Sequence, residues 1–295
     1  MVAEVRRFNR TVTQRSGALS DRFLARNRPL GEARVLWEIG LEGCEVRTLR
    51  SRLGLDSGQL SRILRTLEAG GLVEVTPSVV DGRIRVARLT PAGVAERVVL
   101  DERSDALAES MLAPLDERDR ERLVDAMRTV QRLLNRAAVE FRVADPAGDD
   151  ARACLRAYFG ELNRRSNGGF DPAAGVSAAP HELRPPAGVF LIAYLRDEPV
   201  GCGGVKFHPG EPCHIKRMWV AESARGLGVG RRLLGELEDR ARAAGVTVAR
   251  LDTHRLLTEA IALYRSAGYV EVDRFNDEAF ADHWFEKSLV SAETA

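Results

Sequence analysis

The chain has 295 residues, of which 44% are hydrophobic and 29% are charged, and its formal net charge is +1. This length predicts two domains of ordinary globular composition, and the lack of any apolar run of roughly 20 residues argues against a membrane-spanning protein. The four cysteines form no C-x-x-C pair, so we expect neither a disulfide framework nor a metal site. Residues 1–20 lack the apolar core of a signal peptide, and we expect a cytoplasmic protein.

The first half of the chain is predicted to be mainly helical and to contain one β-hairpin. Two short helices are separated by a turn at Gly54, and a basic hairpin follows them, which is the order of a winged helix-turn-helix. Thr90-Pro91 is typical of a helix start, with a hydroxyl cap followed by proline. The predicted elements are helices at 2–25, 31–41, 46–53 and 57–69, strands at 72–76 and 84–89, and a helical region from 90 to about 138 that breaks near Pro114.

The helix at 57–69 is the candidate DNA-recognition helix. One stripe of this helix is apolar and predicts a buried face. The other faces carry short hydrogen-bonding groups that suit base edges and guanidinium groups that suit guanine or phosphate. Taken alone, the segment is more simply an amphipathic helix with solvated arginines, but the order of the elements favours binding to double-stranded DNA. The candidate DNA-binding residues of this helix are Gln59, Ser61, Arg62 and Arg65.

Three short motifs in the first half resemble those of the MarR family of bacterial regulators. They are Leu67-Glu68-x-Gly70-Gly71-Leu72-Val73, Asp81-Gly82-Arg83 and Leu89-Thr90-x-x-Gly93. The resemblance covers about residues 11–135 and implies that Arg83 enters the minor groove, that Asp81 braces the wing and that Arg85 belongs to the same basic hairpin. It also implies a homodimer formed by the helices at 2–25 and 91–138, so we predict a DNA-binding and dimerisation domain at 1–138.

The second half is predicted to be an α/β domain at residues 139–295. Beyond Phe141, short strands alternate with helices, and a long segment rich in Gly, Pro and Ala at 166–186 is predicted to be a loop. The predicted helices are at 151–165, 229–244 and 258–267, and the predicted strands are at 189–194, 200–207, 214–220, 246–253, 269–274 and 284–289.

A glycine-rich segment lies between a predicted strand and a predicted helix in this half. Main-chain N–H groups at the start of a helix bind diphosphate oxygens, and glycines let the ligand approach the backbone. A P-loop is excluded because no Gly-Lys-Ser/Thr follows, and a Rossmann site is disfavoured because Arg231 stands where its third glycine belongs. The pattern that fits is R-x-x-G-x-G, filled by Arg225, Gly228 and Gly230.

This pattern resembles the pyrophosphate loop of the GNAT N-acetyltransferase superfamily. The segments 216–220 and 264–269 resemble two further motifs of that family, in the right order, and together they cover about residues 139–289. The resemblance implies a GNAT fold with a mixed, mostly antiparallel sheet and acetyl-CoA as co-substrate. The coenzyme-binding residues that it implies are Met218, Trp219, Val220, Arg225, Gly226, Leu227, Gly228, Val229, Gly230 and Arg231.

The same resemblance gives roles to a few catalytic groups. Tyr264 is the expected general acid, and the main-chain N–H of Val220 is the expected donor to the oxyanion. His214 stands where relatives often carry a glutamate, and it acts as general base directly, through water or not at all. His254 and His283 are weaker candidates for that role.

Two functional hypotheses follow. The first is a bifunctional transcriptional regulator and acetyltransferase that acts on the amine of a small molecule or amino acid, with an acceptor pocket shaped by 166–186 and 275–285. The second is a MarR-type regulator whose degenerate GNAT domain only senses acetyl-CoA or a metabolite. The absence of the glutamate at position 214 motivates the second hypothesis.

Overall fold

The computed structural model describes residues 1–20, 22–79, 81–166, 169 and 178–290. It divides into two compact units, Met1–Arg128 and Thr129–Ala295. Residues 167, 168 and 170–177 of the predicted acceptor loop at 166–186 lie outside the described residues. None of the described helices combines the length and the apolar character that crossing a bilayer requires.

The first unit is helical, with one small antiparallel sheet whose strands lie in the order β1-β3-β2. Its helices are α1 (Val2–Arg15), α2 (Leu30–Ile39), α3 (Val46–Leu53), α4 (Ser57–Ala69) and α5 (Pro91–Leu112), and its strands are β1 (Cys44–Glu45), β2 (Val73–Pro77) and β3 (Arg85–Leu89). The helix α6 (Glu117–Ala137) begins in this unit and contains the boundary between the two units. The predicted winged helix-turn-helix is confirmed.

Local sequence explains where α4 begins and which face it buries. The Asp56 carboxylate accepts a hydrogen bond from the Gln59 amide at 2.8 Å, and the Gln59 side chain accepts one from the Asp56 amide at 3.3 Å. This reciprocal capping satisfies two amides that a helix start leaves unpaired. The apolar stripe of Leu60, Leu64 and Leu67 is buried in the core of the unit, as its spacing predicts.

Two details of this unit differ from the sequence prediction. The first helix ends at Arg15 instead of reaching residue 25, because Gly17 adopts a left-handed conformation with φ 68°. A short 3₁₀-helix, Phe23–Ala25, follows, and Leu24 and Ala25 also have positive φ. The strand β1 was not predicted, since two residues are too few to show a period.

The second unit is built on a seven-stranded sheet in the order β4-β5-β6-β7-β8-β10-β9. All neighbours are antiparallel except β7 and β8, which are parallel, so the predicted mixed and mostly antiparallel sheet is confirmed. The strands are β4 (Val139–Val143), β5 (Gly188–Leu195), β6 (Glu198–Lys206), β7 (Cys213–Val220), β8 (Val248–Thr253), β9 (Val270–Val272) and β10 (His283–Ser288), and the helices are α7 (Asp149–Arg165), α8 (Val229–Ala243) and α9 (Thr258–Ser266).

Helices cover both faces of this sheet. On one face, Leu233, Leu234 and Leu237 of α8 pack with Tyr264 of α9 against inward side chains of the central strands. On the other face, α7 packs through Ala151 and Cys154 against a separate cluster of strand residues. The strand β4 was not predicted, because it begins two residues after the end of α6 and its alternation of Val139 and Phe141 with charged residues is short.

Candidate functional site

The parallel strands β7 and β8 separate soon after they begin. Across the described residues 213–220 and 248–253, their pairing is confined to Cys213 with Ala249 and His214 with Arg250. Beyond His214, β7 pairs only on its other side, with β6. The Ala221 amide bonds to Val200 O on the β6 side, so strand alternation directs the Val220 amide to the side of β8. The split therefore leaves main-chain groups of β7 available to a ligand.

A β-bulge in β7 lies beside this split. Lys216 pairs with Gly204 and Trp219 with Cys202, so Arg217 and Met218 together stand opposite Gly203. Arg217 adopts φ 61°, which is uncommon for a residue with a side chain. A Cβ at Gly203 would lie 2.8 Å from Met218 Sδ. The bulge thus bends β7 beside the split, and a side chain at position 203 would require the flexible side chains of Met218 and Leu237 to move.

A cavity of about 520 Å³ lies at the split and contains most of the predicted coenzyme-binding residues. Of the ten, only Leu227 does not line it, because this side chain is buried with Val139 and Val229. Tyr264 lines the same cavity. The remaining nine predicted residues on its wall are Met218, Trp219, Val220, Arg225, Gly226, Gly228, Val229, Gly230 and Arg231.

The glycine segment forms one wall of this cavity. Gly226 and Gly228 have φ of 77° and 74°, and α8 begins directly after Gly228. The amides of Val229, Gly230 and Arg231 fall in the first helical turn, so they have no acceptor within the helix. These donors lie at the positive end of the helix dipole. The donor set fits the diphosphate of a coenzyme, which the sequence predicted here.

Glu161 of α7 is a member of the site that sequence reasoning missed. Its carboxylate accepts hydrogen bonds from Arg225 Nη2 at 2.6 and 2.7 Å and from Trp219 Nε1 at 3.1 Å. It also pairs with Arg165 at 2.8 Å. The sequence alone can suggest that Glu161 pairs with Arg165, because the two residues lie four apart on a predicted helix. It cannot reveal that Glu161 contacts Arg225, which lies 64 residues away.

Tyr264 is held in a buried aromatic environment. Its ring lies 6.0 Å from that of Tyr269 and 6.1 Å from that of Phe285, and the residue is 5% exposed. Burial raises the pKa of Tyr264, and burial also raises the pKa of Tyr158, on the opposite wall, to about 12. Both phenols therefore keep their protons at neutral pH.

His214 does not line the cavity that contains Tyr264. Its ring packs 5.0 Å from that of His208 and 5.1 Å from that of Phe275. Burial lowers the pKa of His214 to about 4, and the nearby Lys216 adds to this effect, so the imidazole is neutral at pH 7. The other candidate bases also lie away from the cavity lining: His254 is 3.7 Å from Asp282, and His283 is 2.5 Å from Glu271.

A polar cluster bridges β7 and β8 beyond their last paired residues. Lys216 Nζ lies 2.6 Å from Asp252 and 3.2 Å from Glu278. Asn276 donates to Asp252 at 3.0 Å and accepts from Trp284 Nε1 at 2.8 Å. The structure thus brings part of the predicted acceptor segment 275–285 to the split. Phe285 of that segment is instead fully buried in the core.

The candidate DNA-binding residues of the first unit are solvent-facing. Arg62, Arg65, Arg83 and Arg85 are exposed, whereas Ser61 is half-buried and accepts from Arg65. The Gln59 side chain is used in the helix cap. Asp81 accepts from the Arg83 amide at 2.9 Å, which is the bracing contact that the resemblance implies. These positions place guanidinium groups on α4 and on the hairpin.

Two further arginines, on α3, join this basic surface. A cleft of about 310 Å³ between α3 and α4 is lined by Arg47 and Arg50 together with Arg65 and Arg85. Sequence reasoning missed the α3 pair because it treated α3 only as the first helix of the turn. Arginines three residues apart on a short helix were the available signal.

Comparisons with known proteins agree with both resemblances. Residues 27–84 match the MarR family model, and residues 156–269 match the acetyltransferase (GNAT) family model. The two matches fall on the two segments whose motifs resemble these families, in the order that the sequence predicted. Among the described residues there is no group of three or more His, Cys, Asp or Glu side chains suited to a metal ion.

Individual relatives cover only parts of the chain. The IAA acetyltransferase of Azospirillum brasilense is 42% identical over 83 residues, which are 28% of this chain and 54% of that protein. A putative acyl-CoA N-acyltransferase structure from Klebsiella pneumoniae aligns with 52% of this chain and 99% of its own, at 23% identity and a TM-score of 0.42. The PcaV transcriptional regulator from Streptomyces coelicolor aligns with 43% of this chain and 88% of its own, at 25% identity and a TM-score of 0.34.

Proposed function

We propose that the chain is a DNA-binding regulator whose second domain transfers an acetyl group from acetyl-CoA to the amine of a small molecule or amino acid. The observation that carries the enzymatic part is the split between β7 and β8, which opens onto a cavity walled by the glycine segment and Tyr264. A diphosphate fits the amides at the start of α8, and an extended arm fits the unpaired edge of β7. We assign residues 1–138 to the DNA-binding domain and 139–295 to the transferase domain.

The proposed chemistry uses groups of this chain at defined places. Acetyl-CoA supplies the acetyl group as a thioester. The amine nitrogen forms the new bond to the carbonyl carbon as the bond to sulfur breaks, and the Val220 amide stabilises negative charge on the carbonyl oxygen. Tyr264, which burial keeps protonated, donates its proton to the departing sulfur. The acceptor nitrogen loses one proton to water.

The position and the lowered pKa of His214 favour a second candidate function. A buried imidazole whose pKa is lowered to about 4, and which lies away from the cavity lining, is poorly suited to deprotonate an ammonium group at pH 7. If no other base serves, the second domain binds acetyl-CoA or a metabolite without turnover and acts as a sensor. Turnover distinguishes the two candidates.

The test is thiol release from acetyl-CoA in the presence of a panel of amines. We expect turnover by the wild-type chain and a loss of at least about 100-fold in kcat for Tyr264→Phe, with an unchanged Kd for acetyl-CoA. Tyr269→Phe is the matched control, because this phenol packs edge-on against Tyr264 but does not line the cavity. Tight acetyl-CoA binding without turnover for any amine would favour the sensor.

The proposed DNA-binding part rests on the arginines of α3, α4 and the hairpin, which line one basic cleft or flank it. We further propose a homodimer in solution. In the described chain, α1 buries none of its residues, and its Val5, Phe8 and Val12 are 59%, 49% and 47% exposed. Exposed apolar side chains along one helix face are typical of a helix whose partner is another subunit. The proposed partners are therefore an operator duplex, an amine acceptor and a second copy of the chain.

A further inference from the structure

Arg136, in the last turn of α6, lies beside the glycine segment at the start of α8. A Cβ built on Gly228 would be 3.8 Å from Arg136 Nε and 3.9 Å from Arg136 Cζ. Both residues belong to the unit Thr129–Ala295. The MarR-like and GNAT-like motifs in the sequence do not include Arg136, which stands between the two matched segments.

The end of α6 is fastened to the glycine segment by polar and apolar contacts. Arg232 of α8 donates to Arg136 O, one of the carbonyls that the end of the helix leaves unpaired, at 2.7 Å, and to Val139 O of β4 at 3.1 Å. The side chain of Val139 is buried with those of Leu227 and Val229. These contacts place Arg136 beside the first turn of α8.

The arginines around the glycine segment differ in what their guanidinium groups contact. Arg225 is paired with the Glu161 carboxylate, and Arg231 donates to the carbonyl and hydroxyl oxygens of Ser266. The guanidinium of Arg232 donates to Arg136 O and Val139 O. The guanidinium of Arg136 is exposed and, within the part of the chain that the structure describes, makes no hydrogen bond or ion pair with protein. Among the described residues, Arg136 is thus a guanidinium beside Gly228 for which no hydrogen-bond partner on the protein is seen.

We propose that Arg136 binds the diphosphate of the coenzyme, so that coenzyme binding also orders the last turns of α6. This inference rests on the proposed coenzyme site. A guanidinium donates to phosphate oxygens in a two-pronged geometry, and the neighbouring amides of α8 supply the other donors. Because α6 runs without a break from Glu117 to Ala137, a contact at Arg136 restrains the end of a helix that begins in the first unit.

The first test compares the affinity of full-length variants for acetyl-CoA by calorimetry. We expect Arg136→Ala to raise Kd about tenfold and Arg136→Lys to raise it less, because lysine keeps the charge but not the fork. Arg132→Ala is the matched control, since Arg132 lies one turn earlier on α6, is exposed and contacts only Thr129 among the described residues. Equal affinity of Arg136→Ala and wild type overturns the inference. A folded wild-type chain that binds no acetyl-CoA overturns the proposed function as well.

Dephospho-coenzyme A, which lacks the 3′-phosphate, tests which phosphate is contacted. We expect the ratio of Kd values between Arg136→Ala and wild type to stay about tenfold with this probe, because the diphosphate is intact. A ratio near one assigns Arg136 to the 3′-phosphate and overturns the proposal.

Hydrogen exchange tests the effect on α6. We expect saturating acetyl-CoA to slow exchange at residues 129–137 of wild type, and we expect that protection to be lost in Arg136→Ala at equal saturation. Equal protection in both proteins overturns the link between the coenzyme and α6.

Discussion

The two units differ in where their exposed apolar side chains lie, because those of α1 in the first unit follow one helix face. The second unit packs helices on both faces of its sheet, and its largest side chains, such as Phe190 and Phe285, are fully buried. The first unit has a comparable core around α2 and α4 but leaves the apolar face of α1 exposed. The exposed apolar side chains of α1 follow one helix face, and this arrangement supports the proposed homodimer through the first unit.

The two units also place charge differently. In the first unit, Glu96 is 7% exposed and pairs with Arg26 and Arg28, and none of these three residues lines the cleft between α3 and α4. The second unit has a buried acid of the same kind, Glu238, which pairs with Arg242 and Lys287. Only the second unit also has an acid in the candidate site, Glu161, among the described residues that line its cavity and pair with Arg225. The predictions below test this separation.

The largest effect is expected for Glu96→Gln. Removing one member of a buried ion pair leaves Arg26 and Arg28 without their countercharge, and we expect the first unit to lose about 3 kcal/mol of unfolding free energy. Native-state hydrogen exchange reports this as faster opening of α2 and α5, with β5 and β6 unchanged. Glu102→Gln, an exposed change on the same helix, is the matched control. Equal destabilisation of β5 and β6 would contradict the separation of the units.

The contribution of Glu96 to the unfolding free energy is also expected to depend on pH. The hydrogen bond from Arg26, together with the charges of Arg28 and Arg26, holds the pKa of Glu96 below its usual 4.5. A carboxylate with a lowered pKa stabilises the folded state above its ordinary pKa, and this contribution is lost as the pH falls through the lowered value. The difference between wild type and Glu96→Gln is therefore expected to be constant near pH 7 and to shrink below about pH 4.5. A difference that grows on acidification would contradict this assignment.

A smaller effect is expected for Phe8→Glu in α1. A charge on the exposed apolar face weakens the proposed homodimer by about 2 kcal/mol, or roughly thirtyfold, because the carboxylate loses water on association. Sedimentation velocity over a dilution series measures the change. Thr11→Glu introduces the same charge at an exposed position outside the apolar stripe and is expected to leave the dimer intact. Unchanged association of Phe8→Glu would place the dimer interface elsewhere.

Much of the fold could be predicted from the sequence because local signals agreed with tertiary packing. The apolar stripe of α4, its Asp56 cap and the glycines before α8 each determine structure within a few residues. The end of α1 and the strand β4 were not predicted. Gly17 was an available signal for the end of α1 that the prediction did not use, whereas β4 is defined by pairing with β5, about 50 residues away.

The candidate site, like the fold, was predicted from the sequence only where the signals are local. Residues 225–231 follow from a motif whose backbone chemistry is local, and nearly all of them line the cavity. Glu161 and Tyr158 line the cavity from α7, and Arg136 of α6 lies beside Gly228, so all three come from helices distant in sequence and no spacing rule finds them. His214 shows the opposite problem, because its place in the motif suggested catalysis while its ring packs against His208 and Phe275.

The smallest effect is expected for Arg83→Ala at the hairpin. Arg83 is exposed and its backbone is braced by Asp81, so we expect its loss to weaken DNA binding by about 1 kcal/mol, or roughly fivefold, and to reduce the salt dependence by about one ion. Fluorescence anisotropy with a duplex selected by wild type from a random pool measures both. Arg83→Lys keeps the charge and is expected to retain the salt dependence while losing part of the affinity. Because the hairpin lies in the first unit, acetyl-CoA affinity is expected to be unchanged in both variants, and a parallel loss of it would contradict the functional separation of the two units.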